Sequence, residues 1–286
     1  MQLIPSIKLS MKYPERILLL QFFLITQLGS AQVADNVNYY FSRITGASSV
    51  NEKLAFNDSI ANSLLEYLES VDDITGTAIQ GVKYLGQISS ADSIIKIFTW
   101  NIPLAGGNNL YNCIIYNKTL DRKYLMVGEE GLKGVAEDET IDNSNWYGSL
   151  YYDIQPVGQG EDISYILLGY DPDNINVNSK VIEVLYYNNE GEPVFGRKII
   201  RAGDKDLNRM IFRYSPLATM MLRFNDDRNR IIFDHLSPSS EQFEGLYKYY
   251  GPDFSYDALE LKEGKLVLVE AIDLRKSDEG DDKLRD

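Results

Sequence analysis

Cysteine and histidine are almost missing from this chain, with one of each in 286 residues. A single Cys cannot form an intrachain disulfide. One Cys and one His cannot build a structural zinc site, which takes about four such ligands. Basic residues are scarce too: 28 Lys and Arg face 42 Asp and Glu, a formal charge of −14. That balance opposes phosphate backbones and anionic lipid, so nucleic acid and membrane surfaces are not expected partners. Phosphate loops are absent, because Gly158-Gln159-Gly160 lacks a third glycine and no Gly-Lys-Ser/Thr occurs. No apolar run reaches the roughly 20 residues that span a bilayer, so no membrane span is expected. What remains is a chain 44% hydrophobic and rich in tyrosine, 20 in all, which can bury a sizeable core.

The N-terminus reads as an address. Lys8, Lys12 and Arg16 precede the apolar run ILLLQFFLITQL, Ile17 to Leu28, and Gly29-Ser30-Ala31 follows. A basic region, a short apolar stretch and small residues, in that order, form a secretory signal peptide. Residues 1–31 are assigned to it, with cleavage after Ala31 and translation starting at Met1 or Met11. No Cys follows the run directly, so no lipid anchor is expected. Losing three basic and one acidic residue leaves 25 and 41 in the mature chain, a charge of −16. The product is expected to be exported, to the periplasm or beyond.

Residues 32–75 form an N-terminal helical segment. Leu54, Ala61, Leu64, Leu65 and Leu68 share one face of a helix over 51–70, and Ser49 with Glu52 fits a capping box at its start. A weaker helical stretch lies near 36–43. From 76 to 275 the pattern changes to short runs rich in Tyr, Ile, Val and Phe, such as SIIKIFTW, SYILLGY, VIEVLYY and RIIFDHL. Asn188–Gly191, Asn225–Asn229 and Glu263-Gly264 read as hairpin loops between them. No long helical pattern intervenes, which excludes a Rossmann-type sheet. Val181 to Leu185 is apolar on both faces except at Glu183, so sheets should stack on one another. The fold class is therefore mainly β: an antiparallel β-sandwich or open barrel of many hairpins, roughly ten to thirteen strands, preceded by one amphipathic N-terminal helix. The alternative is two β-subdomains split near 157–162. Residues 276–286 read as a disordered acidic tail.

Several motifs of the C-terminal half carry a resemblance. RMIFRYSPLATMMLRFNDDRNRIIFDHLSP (209–238), YYGPDFSYDALELKEGKLVLVEAIDLR (249–275), GYDPDN (169–174) and YYNNEGEPVFG (186–196) resemble a family of uncharacterised exported proteins of Bacteroidetes-type bacteria. The resemblance implies a cell-envelope location. It implies no reaction and assigns no site residue.

Few residues can carry chemistry. His235 would have to serve any Ser-His-Asp or Cys-His system. Its neighbour Asp234 points to the opposite strand face, because side chains alternate. Cys113 lies within the strand-like YNCIIY and reads as a buried thiol. Asp171, Asp173 and Asn176 lie in an oxygen-rich loop that could take calcium, although the spacing departs from an EF-hand. No other cofactor is expected. The richest cluster is FEGLYKYYGPDFSYD at 243–257, where rings interleave with carboxylates. Tyr247, Tyr249, Tyr250, Asp253, Tyr256 and Asp257 are its candidate ligand-binding residues. Sugars stack on aromatic rings, and glycosidases add two carboxylates about 5–10 Å apart; Glu244, Asp253, Asp257 and Asp153 are available for that pair. Trp146, Tyr147, Tyr151, Tyr152 and Asp153 form a second, sparser cluster. The bland alternative is that these rings finish the core. With no convergent catalytic set, the expected function is a non-enzymatic binding or structural β-module of the envelope, its partner an envelope protein or a glycan. The alternative is a glycan-binding protein or carbohydrate-active enzyme working through 243–257.

Overall fold

The computed structural model describes residues 31–71, 74–129, 131–172 and 176–273. The expected signal peptide, apart from Ala31, and the acidic tail lie outside them. The chain divides into two compact units at Lys83/Tyr84, later than the expected change at 75/76.

Among the described residues the first unit holds two helices, and the weaker stretch expected near 36–43 is a full helix. α1 (31–46) buries Ala34, Val37, Phe41 and Ile44. Their spacing of three and four marks one helix face, but Val33, Tyr39 and Tyr40 lie off it and blur the pattern. The carboxamide of Asn38 in α1 donates to Gly81 O (2.9 Å) and accepts from Lys83 N (2.9 Å). α2 (Val50–Ser70) buries Ile60, Ala61, Leu64, Tyr67 and Leu68. Ser49 Oγ caps it by accepting from Glu52 N at 3.2 Å. The return half of the capping box is displaced by one residue, since Glu52 Oε2 accepts from Ser48 N at 2.9 Å. Among the described residues, no helix is long and apolar enough to cross a membrane.

Among its described residues the second unit holds sixteen strands in three sheets. The first sheet is a meander of β1 (Gly86–Ser89), β2 (Ile95–Pro103), β3 (Asn109–Asn117) and β4 (Arg122–Gly128). The second runs β5 (Ile141–Asp142), β9 (Pro193–Phe195), β8 (Asn178–Tyr187), β7 (Ser164–Asp171), β6 (Leu150–Val157), and β12 (Arg209–Tyr214) also pairs with β8. The third runs β11 (Lys205–Leu207), β10 (Ile200–Ala202), β16 (Lys265–Val269), β15 (Tyr250–Lys262), β14 (Arg230–Pro238), β13 (Leu222–Phe224). None closes into a barrel. Among the described residues the pairing is antiparallel except between β10 and β16, where Ile200 lies beside Leu266 in parallel.

The second sheet is the middle layer. Tyr165 and Leu167 of β7 and Val181 and Leu185 of β8 join Ile97, Cys113 and Ile115 of the first sheet in one core. Their neighbours Ile166, Leu168, Ile182 and Val184 point the other way and join Ile231, Phe233 and Leu259 of the third sheet in a second core. This is why β7 and β8 are apolar on both faces: alternation delivers each residue to one of two dry interfaces. Each such aliphatic side chain gains about 1.5–3 kcal/mol from burial. Residues 157–162, where a subdomain boundary was weighed, run from the last residue of β6 through most of the β6–β7 hairpin loop inside this layer. The three expected hairpins form, at Asn188–Gly191 (β8–β9), Asn225–Asn229 (β13–β14) and Glu263-Gly264 (β15–β16).

Two irregularities position the surface. Opposite β7, Tyr151 pairs with Gly169 and Asp153 with Leu168, so Tyr152 is an extra residue and stands outward. Opposite β14, Asp234 pairs with Tyr256 and Leu236 with Pro252, so Asp253, Phe254 and Ser255 bulge against His235 alone. Bulges re-aim side chains and break pairing, and they are frequent beside functional sites.

Candidate functional site

The 243–257 cluster occupies a short connection and the start of β15. Single 3-10 turns at Glu241–Phe243 and Tyr247–Tyr249 carry the chain from β14 into β15. Phe243 stacks on Tyr249 at 4.1 Å, and Tyr247 tilts against Tyr250 at 5.3 Å. The Tyr250 hydroxyl accepts from Gly245 N at 2.9 Å. Tyr249 and Tyr250, with Pro238 and Pro252, wall a groove of about 350 Å³. Leu217, Ser237, Ser239 and Lys248 edge it. Leu217 stands 97% exposed. Ser215 N donates to Tyr250 O at 2.9 Å and ties the far wall to the near one.

The groove takes only part of the expected set. Tyr247 lies outside its lining, under the Arg213 guanidinium at 5.8 Å. Tyr256 is half-buried in the β14–β15 ladder opposite Asp234. Asp253 folds back on its own bulge, accepting from Ser255 N (3.0 Å) and Ser255 Oγ (2.6 Å), and those bonds hold its carboxyl below the usual range. Asp257 is buried and meets His235: Oδ2 lies 2.8 Å from His235 Nδ1, while Oδ1 accepts from Ala271 N at 3.0 Å. The His235 imidazole is pushed up, first by this bond and then by the charges of Asp257, Asp253 and Glu270. Asp234 plays no part in it, because its Oδ2 accepts from Met221 N at 2.6 Å. The sequence separates His235 from Asp234 but does not reveal Asp257, since that pairing depends on strand register and the bulge.

The carboxylate pair of a glycosidase is not assembled in this groove. None of Glu244, Asp253, Asp257 and Asp153 lines it. Asp153 instead binds Arg228 at 2.6 Å. The second aromatic cluster is mostly core: Trp146 Nε1 donates to the Tyr151 hydroxyl (3.1 Å), and the Tyr147 hydroxyl to Glu183 (2.7 Å). Tyr152 alone turns outward, at its bulge. There it joins Tyr170 and Tyr214 around a second cavity of about 480 Å³ that the sequence did not disclose. Lys180 Nζ sits in that cavity 5.5 Å from the centre of the Tyr152 ring and donates to Met220 O at 2.6 Å.

The calcium candidates take different places. Asp171 is fully buried, and both its oxygens are engaged, by the Tyr111 hydroxyl and by Leu132 N at 2.7 Å. A side chain at Gly131, whose φ is +59°, would strike that carboxylate. Asp171 is thus a core acceptor and not a loop ligand. Asp173 lies outside the described residues, and Asn176 sits at a bend. Among the described residues no cluster of three His, Cys, Asp or Glu is placed to hold a metal. Cys113 is fully buried and burial drives its thiol well up, so it is a poor nucleophile.

Comparison with protein-family models, with curated proteins and with solved structures finds no match.

Proposed function

We propose that this chain is an exported envelope protein that binds a glycan without transforming it, using the groove walled by Tyr249 and Tyr250. The observation that carries the reading is the composition of the groove. In a chain with 42 acidic residues, no Asp or Glu lines it among the described residues, while tyrosines, prolines, serines and one lysine do. Rings offer apolar faces to sugar C–H groups, and serine hydroxyls and lysine offer hydrogen bonds at the rim. A hydrolase would need two carboxylates facing the ligand there. The resemblance of the C-terminal half and the signal-like N-terminus support an envelope location, and N-terminal sequencing of the exported protein is expected to begin at Gln32.

Native electrophoresis through gels containing single polysaccharides tests the binding. At least one polysaccharide should retard the wild-type chain, and Tyr249→Ala should weaken the retardation about tenfold, roughly 1.4 kcal/mol. If no polysaccharide retards the protein, the reading is wrong. A second reading has one observation behind it: Phe254, at φ +71°, stands 93% exposed on the β15 bulge. A large ring held out to solvent suits contact with an envelope protein. Loss of a co-purifying partner on Phe254→Ser, with glycan retardation absent, would favour it.

A further inference from the structure

The groove and the tyrosine-walled cavity share a wall. From the end of β12 to Ala218 the chain alternates its side chains: Tyr214, Pro216 and Ala218 line the cavity, joined by Thr219 and Met220, while Ser215 and Leu217 line the groove. The two spaces are therefore separated by one thickness of backbone. Their linings also touch, since a Cβ at Gly251, in the groove, would lie 3.5 Å from Ala218 Cβ, in the cavity. The turn is held by Ala218 N donating to Ser215 O at 3.0 Å, and Leu217 forms its exposed crest. At about 350 and 480 Å³, each space falls in the range of roughly 300–1,000 Å³ typical of small-ligand sites.

The cavity matches the groove in chemistry. Among the described residues its lining holds three tyrosines and one lysine, and no Asp or Glu. Three carboxylates act on the lining from outside it: Asp234 on Lys180, Asp153 on Tyr152 and Asp171 on Tyr170. Asp234 already accepts from Met221 N at 2.6 Å, Asp153 binds Arg228, and Asp171 accepts from Leu132 N. Lys180 uses one donor on Met220 O, and an ammonium carries three, so donors remain for a ligand. Burial also makes an unmatched charge on Lys180 costly, and a ligand carboxylate would offset that cost. The groove contributes Lys248 in the same manner.

We infer that the two spaces are adjoining subsites for one extended, carboxylate-bearing glycan, a uronate polymer, which crosses the Ser215–Leu217 crest and places an acid group on Lys180, the lysine-bearing, carboxylate-free linings offsetting locally the net charge of −14 that opposes polyanions at long range. The inference rests on the glycan reading above. It adds a second subsite, a ligand length and a ligand charge. Two linked subsites make the second contact intramolecular, so affinity should rise steeply with chain length.

Calorimetric titration of the full chain tests it with galacturonate and mannuronate as monomers and hexamers, and with the methyl-esterified galacturonate hexamer. An acid hexamer should bind at least tenfold more tightly than its monomer. Lys180→Met should weaken the acid hexamer about tenfold more than it weakens the neutral ester, since both lose its packing and only the acid loses its charge. Because Lys180 also braces Met220, Thr219→Glu provides an independent variant: Thr219 is an exposed part of the cavity lining, and a carboxylate there should repel the acid hexamer and spare the ester. If neither acid hexamer binds, or if both variants bind it as the wild type does, the inference is overturned. Neutral binding that still depends on Tyr249 would then leave the groove reading standing, while loss of all glycan binding would remove both.

Discussion

Glu183 is the polar exception in the apolar run Val181–Leu185 of β8, and its surroundings explain why it is tolerated. Its carboxylate and the Arg209 guanidinium are both fully buried, joined at 2.8 Å. The Tyr147 hydroxyl and Val184 N complete the carboxylate shell. Arg209 spends its other donors on Ala136 O, Glu139 O and Phe195 O. The pair thus ties the segment before β5 to the core through backbone carbonyls. Burial drives the Glu183 carboxyl upward against the pull of Arg209. Removing one member leaves the other desolvated and unpaired, at about 3–5 kcal/mol. Urea denaturation of Glu183→Gln and of Arg209→Met should show losses of that order, and a change under about 1 kcal/mol would contradict the assignment. His235 supplies a pH dependence. Its folded pKa is raised by Asp257, so its contribution is complete below the ordinary imidazole value of about 6.5. The contribution disappears as pH rises through the higher folded value. His235→Gln should flatten the stability–pH curve in that window alone. The sequence announces Glu183 as an exception but says nothing of Arg209, since their pairing depends on β12 lying beside β8.

Turn chemistry is the most legible feature of the elements. The Glu263-Gly264 hairpin has φ of +50° and +78° at its two central residues, as a type I′ turn requires. Glycine accepts that backbone freely and glutamate does not. Glu263→Asn should therefore stabilise the chain by up to about 1 kcal/mol in thermal or urea unfolding; a loss would mean that Glu263 makes a contact that outweighs its strain. The two bulges are not legible. Tyr152 and the Asp253–Ser255 excursion exist because β6 and β15 carry extra residues relative to β7 and β14, and a single strand does not announce its partner's count. Those bulges sit beside the cavity and the groove, so the local rules fail where the surface is specialised. α1 was faint for a simpler reason, since Val33, Tyr39 and Tyr40 lie off the face of Ala34, Val37, Phe41 and Ile44.

At the scale of the molecule, three β layers give the tyrosines two occupations. Tyr111, Tyr147, Tyr151 and Tyr165 are buried in the first core. Tyr152, Tyr170, Tyr249 and Tyr250 line the two open spaces, where burial and the neighbouring Tyr170 push the companion Tyr214 phenol up to about 12. The composition left core and surface as alternatives, because the division follows from which strand lies in the middle layer. The acidic charge likewise gains meaning from its distribution: the described linings of the cavity and the groove hold no carboxylate, although acids outnumber bases by 42 to 28. Binding at this surface is the central claim, and hydrogen–deuterium exchange tests its location most directly. Exchange of the full chain would be compared with and without the polysaccharide that retards it most in native gels. Protection should concentrate in peptides covering 214–220 and 247–252, while those covering 129–147 stay unchanged. Protection confined to 129–147, or none beyond that given by a non-retarding polysaccharide, would contradict the account.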